Sequence, residues 1–117
     1  MSDIQYFNST ATLSEVSVHG NTVYLAGQVP DDDSLDITGQ TQQVLANIDK
    51  MLALAGTDKS RMLSVQVFIK DLADFPAFNA VWGQWVADIT PPARATIQAN
   101  LVNPNWLVEV MVVAAKP

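Results

Sequence analysis

The chain has no cysteine and a single histidine, His19. Disulfides, thiolate nucleophiles and Cys-based metal sites are thereby excluded, as is any zinc site built on two imidazoles. Charge is also scarce: 15% of the 117 residues are Asp, Glu, Lys or Arg, against a usual share of about 25%. Cations are scarcest. Lys50, Lys59, Arg61, Lys70, Arg94 and Lys116 stand scattered among 12 acidic residues, for a net charge of -6. A chain of that sign repels phosphate backbones and anionic lipid, so neither nucleic acid nor a membrane is an expected partner. No apolar run approaches the length of about 18 residues that a membrane span needs. The opening MSDIQYFNST lacks a basic region followed by an apolar stretch, which reads as no signal peptide and a cytoplasmic location.

What is present is apolar, with 49% hydrophobic residues and no low-complexity segment. The length fits one domain over residues 1–117, whose folding should bury roughly two-thirds of the surface of the unfolded chain. With so few charges to cover its outside, part of that surface is expected to hide in an oligomer.

Alternation over residues 13–18 leads into His-Gly-Asn, and TVYLAG at 22–27 follows as a β-branched strand, predicting a hairpin across Gly20-Asn21. Residues 28–39 read as a polar loop. Its Asp31, Asp32 and Asp33 lack the Gly and Glu of a calcium loop, so a solvated loop is favoured over a metal site. Apolar residues at helical spacing predict a helix over 41–55, stopped by Gly56. SVQVFIK at 64–70 reads as a strand. Asp74 offers an N-cap for a second helix carrying Phe75, Phe78, Trp82, Trp85 and Val86 on one stripe, with Pro76 in its first turn. Pro91-Pro92 ends that helix, and residues 94–101 and 106–113 form two last strands around a turn at 103–105. The order predicts an α+β domain with two helices on one face of a mixed sheet.

The last segment holds an anomaly. From Pro92 to Ala115 only Arg94 and Glu109 are charged, and Glu109 interrupts LVEVMVVAA, a run typical of a buried central strand. A carboxylate there needs a strong partner or has its pKa raised by desolvation. Two strands joined by a short turn are expected to pair antiparallel and bring both charges to one pocket. A structural ion pair is one outcome. The other is a site in which the arginine fork grips a carboxylate while Glu109 holds or deprotonates a water, pointing to hydrolysis of a small anionic substrate. Other candidates are weaker: His19 reads as surface structure, Ser14, Ser17, Ser34, Ser60 and Ser64 lack a histidine partner, Trp82 and Trp85 read as core or interface, and Asn79 is an open case between buried structural amide and functional residue.

The motifs YLAGQVP at 24–30, VFIKDLADFPAFNAVW at 67–82, PPARATIQA at 91–99 and VEVMVVAA at 108–115 resemble the reactive intermediate deaminase family, also called Rid or YjgF, and the last region is most similar to its YoaB-like, RutC-like branch. The resemblance implies a chorismate-mutase-like α+β fold, two helices on one face of each sheet, and a homotrimer whose sheets form a central barrel with clefts between subunits. It implies hydrolysis of 2-imino acids or their enamines to 2-keto acids and ammonia, with no metal or organic cofactor. Arg94 corresponds to the carboxylate-gripping arginine and Glu109 to the water-activating glutamate. Gly27 and Thr96 would line the cleft through their backbones, with Asn79 near it. Leu13 and Ala26 stand where deaminase members carry tyrosine and serine, and Thr96 where they carry cysteine. The loss of two hydroxyls favours a more apolar substrate or slower chemistry, unless Tyr6, Tyr24 or Trp106 substitutes. A trimeric protein that binds 2-keto acids without catalysis is the alternative. The endoribonuclease label carried by some members fits the acidic charge poorly.

Overall fold

Every strand facing the helices alternates buried and outward side chains, and that alternation builds the molecule. The computed structural model describes residues 3–117. Six strands and two helices follow in the order β1 (Ile4–Ser9), β2 (Ser14–His19), β3 (Thr22–Leu25), α1 (Ile37–Leu54), β4 (Met62–Ile69), α2 (Phe75–Trp85), β5 (Ala93–Gln98) and β6 (Val108–Ala115). They form one mixed sheet in the order β1-β2-β3-β6-β4-β5. Val16 and Val18 of β2, Val65, Val67 and Ile69 of β4, and Val108, Val110 and Val112 of β6 pack on Val44, Ile48 and Leu52 of α1 and Phe78 and Trp82 of α2. Each such side chain contributes roughly 1.5–3 kcal/mol by leaving water.

The opposite face of the sheet has no such cover. Ile4, Tyr6, Tyr24, Leu63, Ile97 and Met111 lie there between 37% and 57% exposed. The hairpin across Gly20-Asn21 forms as expected, His19 pairing with Thr22 and Gly20 taking φ +59° at the first central position. Gly56, at φ +81°, ends α1.

Four sequence expectations are corrected. IQYFNS forms an additional edge strand, β1, paired antiparallel to β2. Helix α1 starts at Ile37 rather than at residue 41, because Asp36 caps it by accepting from Gly39 N at 2.9 Å. Asp74 makes no capping bond; Asp71 instead accepts from Ala73 N in the preceding 3-10 turn. The largest correction concerns β5 and β6, which do not pair with each other. The crossover through α2 lays β5 parallel to β4 at the sheet edge. Strand β6, apolar enough to need a neighbour on each side, inserts antiparallel between β3 and β4.

The chain therefore crosses the end of β4 between β5 and β6, and one buried amide fixes that crossing. Gln40 has no exposed surface. Its Nε2 donates to Leu35 O at 3.0 Å and to Asn105 O at 3.1 Å, and its Oε1 accepts from Leu107 N at 2.8 Å. Replacement by an apolar side chain orphans these backbone groups. Gln40→Leu is expected to lower unfolding free energy by about 2 kcal/mol or more, read from denaturant midpoints at unchanged m-value.

Candidate functional site

Glu109, the second residue of β6, projects onto the uncovered face, in register with Phe68 of β4. Beyond β3 the chain stays bonded to both neighbouring strands: Ala26 N donates to Glu15 O of β2 at 2.9 Å, and Gln28 and Val110 of β6 exchange backbone bonds of 2.8 and 3.1 Å. Gln28 is buried, its Nε2 donating to Glu15 Oε2 at 2.9 Å and Ala26 O at 3.0 Å. These bonds fasten Gly27 beside Glu109. A Cβ on Gly27 would lie 2.0 Å from Glu109 Oε2, so the carboxylate occupies the space that a side chain would fill. Burial raises the Glu109 pKa above the ordinary glutamate value. Among the described residues no cation lies in ion-pair range of it.

Arg94 sits on the edge strand β5, in register with Val65, and so projects toward the helices. Its Nη1 donates to Asn79 Oδ1 at 2.9 Å. The guanidinium lies 5.3 Å from the Trp82 ring centroid, 5.6 Å from Phe75 and 5.8 Å from Phe78. Such a ring floor holds a cation by its quadrupole and fixes the plane of the fork. Burial lowers the Arg94 pKa from its usual value, but arginine stays charged throughout the working pH range. Thr96 follows Arg94 by two residues, half-buried and on the same side.

The candidate residues thus form two half-sites, Gly27 with Glu109 on the open face, and Arg94 with Asn79 and Thr96 at the sheet edge. The expectation that one chain brings Arg94 and Glu109 together is overturned. β4 runs between their strands, and they project to opposite sides of the sheet. An ion pair within one chain is ruled out on the same ground. Asn79 is exposed rather than buried, and its oxygen serves Arg94.

Other expectations hold. His19 is exposed and meets Asp3 Oδ2 at 3.0 Å. Asp31 and Asp32 are exposed, Asp31 accepting from Asn47 at 3.0 Å, and Asp33 accepts from Asn103 at 3.0 Å, so the acidic loop is braced by amides. Two features escaped sequence reading. The stripe Phe75, Phe78 and Trp82 was legible as core but not as the floor under Arg94, although a lone cation opposite an aromatic-rich helix is a usable signal. Gln28 and Glu15 gave none, because their link spans separate strands.

Two outcomes follow at Glu109. In Gly27→Ala the new methyl displaces a flexible carboxylate rather than backbone, so the fold survives while Glu109 moves outward and its pKa falls back toward the ordinary range of about 4.3, as carbon-detected NMR titration would show. A carboxyl with a raised folded-state pKa costs stability as pH rises from the ordinary glutamate range through the raised value. Glu109→Gln should therefore melt above wild type at neutral pH, with the gap closing on acidification.

The sequence model of the family described as Endoribonuclease L-PSP matches residues 4–116. A RutC family protein of Haemophilus ducreyi is 49% identical over 106 residues, covering 91% of each chain. The RutC family protein YoaB of Escherichia coli is 41% identical over 108 residues, 92% of this chain and 94% of that one. A solved member of the YjgF protein family from Neisseria meningitidis superposes with a TM-score of 0.95 at 38% identity, covering 98% of this chain and 96% of the other.

Proposed function

Because the chain belongs to the Rid/YjgF family, YoaB-like and RutC-like in its relatives, we propose that it hydrolyses 2-imino acids or their enamine tautomers to 2-keto acids and ammonia. The supporting observation is Glu109: an unpaired carboxylate of raised pKa, pressed on the backbone of Gly27 in an otherwise apolar strand. Such a group is placed to take a proton from water near neutral pH.

In the proposed reaction Arg94 binds the substrate carboxylate through its fork, with Asn79 and the ring floor fixing the plane. Glu109 removes a proton from a water as its oxygen bonds to the imine carbon. It then gives that proton to the nitrogen of the tetrahedral adduct. The hydroxyl proton then passes by way of Glu109 to the amino group, the C–N bond breaks as a carbonyl forms, and ammonia departs. Thr96 and Gly27 line the cleft through their backbones. No metal or organic cofactor enters this scheme.

Since Arg94 and Glu109 project to opposite sides of one sheet, we place the working cleft between copies, with Arg94 from one and Glu109 from its neighbour. The uncovered apolar face and the free edge of β5 favour such an assembly, and a homotrimer of whole single-domain chains in the cytoplasm is the form proposed. Binding of a 2-keto acid without turnover is the alternative. The family's Endoribonuclease L-PSP description favours an RNA substrate. Against it stand the net charge of -6 and a cleft arginine with no second cation beside it.

The test compares imine loss with wild type, Arg94→Ala and Glu109→Gln, the imine supplied by an amino-acid oxidase and survivors trapped with semicarbazide. Both variants should lose about 10²-fold or more in kcat/KM. Glu109→Gln should still bind the 2-keto acid product; retained turnover would move the binding reading ahead. Refolding the two dead variants together should restore about a quarter of wild-type activity if sites pair one copy's arginine with another's glutamate. Activity should rise with pH through the raised Glu109 pKa, placing the acidic limb above the ordinary carboxylate range.

A further inference from the structure

A second surface adjoins Glu109. Phe68, Ala99, Asn100, Leu101 and Val102 line, with Glu109, an open hollow of about 180 Å³. Its lining holds no charge besides Glu109. Val102 is 93% exposed, an apolar side chain held almost wholly in water at the mouth of an apolar recess. The loop is anchored on either side: Ala99 N donates to Ile69 O at 3.0 Å, and the Asn103 side-chain amide donates to Asp33 Oδ2 at 3.0 Å. Leu101 and Val102 are therefore presented by a fixed loop.

The geometry points to this hollow as the seat of the substrate's side chain, and it selects branched aliphatic 2-imino acids, of the leucine class, over small or acidic ones. The assignment rests on the deaminase reading above and specifies its substrate. A 2-imino acid carries its carboxylate and its side chain on the same reacting carbon. With the carboxylate on Arg94 and that carbon at the water held by Glu109, the side chain falls into whatever recess Glu109 borders. A hollow of about 180 Å³ leaves room for a short branched chain. Methylenes entering it leave water and also cover Val102 and Leu101, whereas a second carboxylate would lie against Glu109 with no cation to compensate.

The experiment measures kcat/KM for imines derived from alanine, leucine and glutamate, in wild type and in Val102→Asp. Val102 packs on almost nothing, so the variant should fold normally. In parallel, calorimetry measures binding of pyruvate and of the leucine-derived 2-keto acid to both proteins. Wild type is expected to favour the leucine-derived imine over the alanine-derived one by at least about tenfold, with the glutamate-derived imine poorest. Val102→Asp should bring the leucine-to-alanine ratio close to one. Turnover of all three imines at similar rates, or a ratio indifferent to Val102→Asp, overturns the subsite while leaving the deaminase reading intact; a neighbouring copy filling the recess would give this result. No turnover of any imine, but tighter binding of the leucine-derived keto acid that Val102→Asp abolishes, overturns the deaminase reading and keeps the subsite.

Discussion

Strand β6 must be flanked on both sides, and the rest of the structure follows from that requirement. Its backbone groups lie in the middle of the sheet, where each needs a protein partner, and its Val108, Val110 and Val112 are fully buried. Only the gap between β3 and β4 meets both needs. Taking it forces β5 to the edge, sends the last connection across the end of β4, and makes Gln40 the fastening of that crossing. It also sets the alternation that points Glu109 away from the helices while Arg94, on β5, points toward them. The separation of the two charged groups is thus a property of topology rather than of side-chain choice.

Where a segment's own residues determine its state, the sequence was readable. Apolar spacing announced both helices, β-branched alternation the strands of the hairpin, and the valine-rich run around Glu109 a central strand. The two charged residues worth attention were identifiable by their rarity in apolar surroundings. Pairing was not readable. A loop of the length between β5 and β6 is compatible with a hairpin or a crossover, and the choice depends on which strands compete for the central gap. The start of α1 was missed because Asp36 and Gly39 look like loop residues until the cap bond between them is seen. β1, an edge strand, was missed because its residues bury little and so carry a weak pattern.

The two half-sites differ in what holds them. Arg94 is fixed by three rings and one amide oxygen, contacts that tolerate small shifts because the attraction of a ring face varies slowly with position. Glu109 is fixed by the exclusion of any side chain from Gly27 and by the pinning of residues 26–28 through Gln28 and Glu15. The first arrangement suits a group that must meet a ligand arriving with its own charge. The second suits a group that must stand at one place relative to the backbone.

The missing Cβ at Gly27 also constrains how the sequence can drift. Positions 27 and 109 lie 82 residues apart in the chain yet share one volume, so neither mutates independently. Any side chain at 27 evicts the carboxylate, and shortening Glu109 empties the space, so that alanine at 27 then displaces nothing. A lineage that abandons the carboxylate releases the glycine from steric selection. One that keeps it carries an immovable glycine, legible as a coupled pair in any set of descendant sequences.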